Sequence, residues 1–491
     1  MTRRDLLAGS IAFAATANSQ TASPSSRERV RQYLDRIDQL DRRGPQLRAV
    51  IEINPEALAI ADALDAEAKA KGPRGPLHGT PILIKDNIDT ADRMKTTAGS
   101  LALADAPAPK QDAPLVKRLR AAGAVIIGKT NLSEWANFRS THSVSGWSGR
   151  GGQTRNPYAL DRNPSGSSSG SGVAVAAELC AMAVGTETDG SIVSPASVNG
   201  ITGIKPTVGL IAGAGIVPIA HSQDTAGPMA RSVSDAAALL TVLGTRGEDY
   251  SKSLDARGLR GARLGVARKF FGRNAAVDRL MEQAIEELKK AGAEIIDPAD
   301  LPTHNQFGEA EFEVLLYEFK ADLNAYLESR GGPVRSLKDL IAFNEKQRRE
   351  EMPYFEQEIC ESAEKKGPLT DNAYVEALAR CRRLSREEGI DAVLRKHKLD
   401  AIVAPTNGPA WLIDWVNGDQ DTGGCSSPAA IAGYPHVTVP AGFVQGLPVG
   451  LSFFGTAWTE AKLIKFAYAF EKATGGWKPP RFLGSAVFDE R

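Results

Sequence analysis

The sequence predicts an α/β fold built as one large domain, and three observations carry that reading. Short apolar strands alternate with helical segments along the chain, as in a sheet covered by helices. No internal repeat and no clean linker interrupts them, so one domain is preferred to the roughly three that 491 residues suggest by length alone. Hydrophobic residues make up 42% of the chain, enough for a large buried core.

The elements follow in order. Residues 1–17 read as a secretory signal of the twin-arginine type: Arg3-Arg4, a short apolar run from Leu6 to Ala15, and an Ala15-Thr16-Ala17 cleavage pattern. The run is about half the length needed to span a bilayer, and no later stretch is long and apolar enough either. The expected localisation is therefore exported, periplasmic or secreted. The Ser-rich stretch 18–27 reads as a loose linker, and 28–485 as the domain proper.

From Ser26 to Ala70 the apolar residues, Val30, Leu34 and Ile37 among them, fall at helical spacing until Gly72-Pro73-Arg74-Gly75-Pro76 breaks the pattern. Ile82-Leu83-Ile84 is a short strand. Residues 115–122 form a helix ended at Gly123, and 124–127 the next strand. Ser232 and Asp235 open another helix as a capping pair. Residues 263–267 are a strand, and the helix after it places Val277, Met281, Ile285 and Leu288 on one face. Residues 309–398 are helix-rich and charged, an insertion or lid. Residues 401–404, 436–439 and 449–454 are late strands.

Charge excludes several partners. Lys and Arg together number 59, as do Asp and Glu, so no global field attracts nucleic acid or anionic lipid. The four cysteines contain no CxxC pair and cannot form a disulfide scaffold; whether they pair at all is left open. Six scattered histidines, without HExxH, predict no catalytic metal. His142, His221 and His436 are expected to be structural. Oligomeric state is not readable.

One motif misleads. Gly123 to Thr130 matches the G-x(4)-G-K-T phosphate loop. Its four inner positions, Ala124, Val125, Ile126 and Ile127, favour a strand rather than a loop around an anion, so the match is set aside.

The informative stretch is 163–206. Pro164-Ser165-Gly166-Ser167-Ser168-Ser169-Gly170-Ser171-Gly172 has the composition of a flexible linker, but it runs directly into Val173-Ala174-Val175-Ala176-Ala177, small and apolar enough for a packed helix. The loop then sits at a helix N-terminus, which favours developing negative charge. Gly185-Thr186-Glu187-Thr188-Asp189-Gly190-Ser191-Ile192 follows, placing a second serine on a tight turn whose backbone N–H groups can form an oxyanion hole.

These residues resemble the amidase signature family of serine hydrolases, closest to its bacterial peptide amidase branch. The resemblance extends to Gly79-Thr-Pro-Ile-Leu-Ile-Lys85-Asp86-Asn87, Gly128-Lys-Thr-Asn-Leu-Ser-Glu134, Asp224-Thr-Ala-Gly-Pro228 and Tyr434-Pro435 to Gly442, over nearly the whole mature chain. It implies a twisted mixed β-sheet with helices on both sides. It also implies a Ser–cis-Ser–Lys triad made by Ser191, Ser167 and Lys85, with a cis bond between Gly166 and Ser167. The oxyanion hole falls to the N–H groups of Thr188, Asp189, Gly190 and Ser191. The implied activity is hydrolysis of a small-molecule or peptide amide, without cofactor, through an acyl-enzyme on Ser191.

The residue chemistry agrees. A serine hydroxyl needs an adjacent base, and no histidine accompanies either serine motif. Lys85 serves only when neutral, which in water at pH 7 holds for about one lysine in 2,500; burial beside Ile82-Leu83-Ile84 raises that fraction. Asp189 and Val193 stand where many family members carry Gly and Arg. The backbone N–H at 189 survives, so the implied oxyanion hole stands, and the unusual Asp189 carboxylate is expected to bear on substrate choice. Phe312, Leu315, Leu316 and Tyr317 are candidates for the acyl pocket or for ordinary helix core. Asp224 and Arg231 are expected to form a structural ion pair near the site. Two alternatives are kept: a glutaminase-type component of a tRNA-dependent amidotransferase, and a non-catalytic amide-binding protein of the same fold.

Overall fold

The computed structural model describes residues 24–487, so the 1–17 signal and most of the 18–27 linker lie outside the described residues. The linker ends earlier than expected. Ser25 caps helix α1 (Ser26–Arg36): its hydroxyl accepts the Glu28 N–H at 3.1 Å and its N–H is taken by the Glu28 carboxylate at 2.7 Å. Ser26 is buried, with its N–H on Asp65.

The long helical pattern from 26 to 70 resolves into separate pieces. After α1 the chain widens into a π turn at Ile37–Arg42, then forms strand β1 (Val50–Ile53) and helix α2 (Ala57–Lys71). Gly44-Pro45 stops the first helix, since proline cannot continue it. Val50, Ile51 and Ile53 fit helical spacing equally well, a known ambiguity of short apolar runs. The strand 125–130 lies in the sheet with every residue buried, so the segment that imitates a phosphate loop has no room for an anion.

Among the described residues eleven strands form one mixed sheet. In chain order the strands are β1, β2 (Pro81–Lys85), β3 (Val125–Thr130), β4 (Trp147–Ser148), β5 (Gly152–Gln153), β6 (Met182–Glu187), β7 (Thr202–Lys205), β8 (Thr225–Ala230), β9 (Arg263–Val266), β10 (Glu294–Ile296), β11 (Ala401–Pro405), β12 (His436–Val444) and β13 (Leu447–Phe454). The sheet order is β1-β3-β2-β6-β8-β7-β12-β13-β11-β9-β10, with β4 and β5 a separate ribbon. The block β3-β2-β6 is parallel, the centre antiparallel and β11-β9-β10 parallel again.

Helices cover both faces. α3 (Pro114–Ala121), α4 (Ser169–Ala176), α5 (Val193–Val198), α6 (Val233–Leu243) and α7 (Ala275–Lys290) follow in sequence. α3, α6, α7 and the late helix Glu460–Thr474 pack on one face, while α1, α2, α4 and α5 pack on the other. Alternation along β2 decides where the chemistry goes. Ile82 and Ile84 join the first face and Leu83 the second, so Lys85 points with Leu83 toward α4.

The charged insertion is helical: α8 (Gly308–Arg330) and shorter helices running to His397 pack around their own apolar clusters, one of them centred on Phe319, Leu323 and Leu327. Among the described residues no helix is long and apolar enough to cross a membrane, and the four cysteines are buried and unpaired.

Close packing at the sheet centre yields a test. At Gly227, on β8, an added Cβ would lie 2.1 Å from the Ile204 carbonyl oxygen. Gly227→Ala is expected to cost about 3 kcal/mol, since backbone on β7 cannot yield. Thermal unfolding of the two proteins side by side checks this through a lowered Tm.

Candidate active site

β2 delivers Lys85 to the end of the sheet, where it is fully buried. Its Nζ lies 2.7 Å from Ser167 Oγ, 2.8 Å from Thr186 Oγ1 and 3.3 Å from the Thr186 carbonyl oxygen. A neutral amine has two N–H donors and one lone pair. As an ammonium, Lys85 donates to all three oxygens; as a neutral amine it keeps its two donors on Thr186 and turns its lone pair to the Ser167 hydroxyl. Asn87 Nδ2 donates to Thr186 Oγ1 at 3.0 Å and holds it in place. Burial pushes the Lys85 ammonium down to about 7, against the opposing pull of Asp224 and Glu187.

Ser167 precedes α4, and the Gly166–Ser167 peptide is cis, as the family resemblance implies. Gly166 is required by close approach: a Cβ there would meet Ser133 Oγ at 2.1 Å. The surrounding serines are structural. Ser168 Oγ donates to the Thr186 carbonyl and accepts the Thr186 N–H; Ser169 Oγ donates to the Ser165 carbonyl; Ser171 Oγ bonds Thr130 Oγ1. All are buried, so a run with the composition of a linker is stitched into the core.

Ser191 sits on the turn between β6 and α5. Gly190 takes φ +76°, a left-handed conformation that glycine adopts without strain. The Ser168 N–H donates to the Ser191 carbonyl at 3.1 Å and ties the two serine segments together. Glu187, fully buried, accepts the Ile192 and Val193 N–H groups at 2.8 and 3.0 Å, fixing the start of α5. Buried Lys205, held down to about 8 by desolvation, supplies its counter-charge. Among the described hydrogen bonds none uses the N–H of Asp189, Gly190 or Ser191, which leaves these donors free for an incoming oxyanion. None joins Ser167 Oγ to Ser191 Oγ either; in unliganded sites such bonds often form only with substrate.

Beside Lys85 opens a cavity of about 350 Å³. Asn87, Thr186, Thr188 and Asp224 form its polar end; Ile211, Ile216, Val217 and Ile219 its apolar wall; His221 and Asp322 its rim. Asp224 accepts from Thr188 Oγ1 at 2.6 Å and from the Ile219 and Ala220 N–H groups, while burial pushes its carboxyl up to about 6.

The Asp224–Arg231 ion pair is not formed. The two residues flank opposite ends of β8, and Arg231 instead donates to the Val175 and Cys180 carbonyls beneath the Trp477 ring. Of the two readings of Phe312, Leu315, Leu316 and Tyr317, the structure supports helix core for the last three and neither reading for Phe312. Leu315 and Leu316 pack with Phe319, Tyr317 lies against Tyr374, Phe312 is exposed beside Phe138, and the cavity wall takes none of them. His436 is structural, buried and held neutral with Nε2 2.6 Å from Ser452 Oγ. His221 is bonded at 2.8 Å to Asp322, with Glu318 nearby, at the cavity rim. His142 is exposed beside Glu358.

Thr186, Glu187 and Lys205 lie inside the sequence motifs, which by themselves assign them no role. An acid just before a serine turn that opens a helix is the available signal for Glu187.

The sequence model described as Amidase matches residues 28–464. The chain belongs to the amidase family. It is 43% identical over 483 residues to a probable amidase of Arabidopsis thaliana, covering 94% of this chain and 89% of the plant protein. The solved native peptide amidase from Stenotrophomonas maltophilia superposes with a TM-score of 0.89 at 53% identity, over 94% of this chain and 96% of that one. A glutamyl-tRNA(Gln) amidotransferase component of Synechococcus is 34% identical over 490 residues, covering 96% of this chain and 93% of that protein. This amidase is thus a hydrolase of amides with a single large α/β domain.

The buried lysine sets the pH dependence. If Lys85 acts as a base it must be neutral, and kcat/KM is then expected to rise with pH through about 7. Asp224→Asn removes a negative charge that favours the charged amine, and should move this rise downward by about one pH unit. A pH–rate profile of the two proteins measures it.

Proposed function

We propose that this amidase hydrolyses carboxamides by a relay from Lys85 through Ser167 to Ser191. The observation that carries the reading is the 2.7 Å contact between Lys85 Nζ and Ser167 Oγ in a fully buried setting. Neutral Lys85 takes the Ser167 proton as Ser167 takes that of Ser191. Ser191 Oγ bonds to the amide carbon, and the carbonyl electrons move onto oxygen, held by the N–H groups of the 188–191 turn. The tetrahedral intermediate collapses by breaking the C–N bond. The proton returns through Ser167 to the leaving nitrogen, releasing ammonia or an amine and leaving an ester on Ser191. Water, deprotonated along the same route, attacks that ester and restores the three side chains with a carboxylate product.

The substrate we infer is a peptide bearing a C-terminal carboxamide. The Thr186-Glu-Thr-Asp-Gly-Ser191 run and the 53% identity to a peptide amidase support this choice over a free amide. The 34% likeness to an amidotransferase component keeps glutamine as the competing substrate.

Ammonia release from a peptide amide, an anilide, a fatty amide and glutamine, with neither ATP nor tRNA, separates the readings; the peptide amide should be turned over fastest. Ser191→Ala should lower kcat by about three orders of magnitude or more and abolish covalent labelling by a fluorophosphonate. Labelling that survives would remove Ser191 from this role.

A further inference from the structure

The acids around the site are not equally provided for. Glu187 has two backbone donors and Lys205, and Asp224 has three hydrogen bonds. Asp189 and Glu311 have far less. Glu311, in the first turn of α8 and nearly fully buried, lies within hydrogen-bonding reach of the Asp189 carboxyl. Among the described residues its donor is Gln223 Nε2 at 3.0 Å, and that same Nε2 also reaches the Thr188 carbonyl at 3.3 Å. Gln223 thereby fixes Glu311 against the oxyanion turn.

No ion pair among the described residues involves either carboxyl. Lys205 feels the charge of Asp189, but its ammonium is bonded to the Pro206 carbonyl and balances Glu187. Asp189 Oδ1 is buried and has no hydrogen-bond partner, while the residue as a whole is half-buried beside the open turn. Burial first, and the neighbouring Asp189 charge second, raise the Glu311 carboxyl well above its usual range. A negative charge with an unpartnered oxygen in a partly dry site is costly unless a donor arrives.

Position says which donor fits. In the proposed mechanism the Asp189 N–H belongs to the hole that receives the scissile carbonyl, which sets its carboxylate roughly 6 Å from that oxygen, about the reach of a lysine or arginine side chain. We propose that Asp189 and Glu311 form an acidic subsite for a basic group on the substrate, so that the enzyme favours peptide amides whose amidated residue is arginine or lysine. This assignment rests on the peptide-amide reading above and names the side chain that reading leaves open.

The test compares three peptide amides that differ in their last residue alone: arginine, citrulline and leucine. Citrulline keeps the shape of arginine and removes its charge. The wild-type enzyme is expected to show kcat/KM about tenfold higher or more for arginine than for citrulline. Glu311→Gln and Asp189→Asn should each bring that ratio toward one. A wild-type ratio near one, with citrulline and leucine amides cleaved, overturns the acidic subsite while leaving the peptide-amide function standing, and it needs no variant to fold. A high ratio unchanged in both variants overturns the assignment to this pair. Failure to cleave any of the three amides contradicts the parent reading instead.

Discussion

The site depends on burying the amine of Lys85. A lysine in water is almost wholly charged at neutral pH, and at the end of β2 burial, net of the opposing pull of Asp224 and Glu187, disfavours the charged form by roughly 5 kcal/mol relative to water. In the proposed relay that penalty is what lets a lysine serve as a base. The fold keeps it from being relieved. Thr186 occupies both N–H donors, Asn87 fixes Thr186, and Leu83 and α4 wall off the approach of water. Asp224 and Glu187 act in the opposite direction and keep the amine from losing its proton affinity altogether, which places it in the range useful to catalysis.

A related constraint governs the two serine segments. In the proposed relay Ser167 must be held near Lys85 with Ser191 beside it, and the backbone ties the two segments together through the Ser168 N–H and the Ser191 carbonyl. The hydroxyls of Ser168, Ser169 and Ser171 bond to β6, to β3 or within the loop, and Ser165 bonds to Ser194, so Ser167 has little freedom. The Ser191 turn is fixed from below by the Glu187 carboxylate gripping the first amides of α5, which leaves the outward N–H groups open. A buried acid and a buried lysine, Glu187 and Lys205, thus hold a loop whose own hydrogen-bond donors remain available.

Much of this was legible in the sequence because local chemistry was explicit. The family motifs placed Lys85, Ser167 and Ser191, and the structure brings Lys85 and Ser167 into direct contact and ties the Ser167 and Ser191 segments through Ser168. The strands around 82–84, 401–404 and 449–454 and the cap at Ser232 follow from apolar runs and capping chemistry. What failed depended on tertiary context. β1 looked helical because an edge strand with Val50, Ile51 and Ile53 satisfies either period, and its partner β3 lies some seventy-five residues later. Asp224 and Arg231 look close in sequence, but a six-residue strand separates them by its full length. Glu311 carried no local signal, because its meaning comes from Gln223 and Asp189, far away in the chain.

Direct titration of the Lys85 amine tests the central claim. In protein carrying isotope-labelled lysine, NMR follows the side-chain resonances nearest Nζ from pH 5 to 10, with a Lys85→Met variant giving the assignment. A midpoint near 7 is the result the account predicts. A Lys85 resonance that stays in its charged position until about pH 10, as a solvated lysine does, would contradict it.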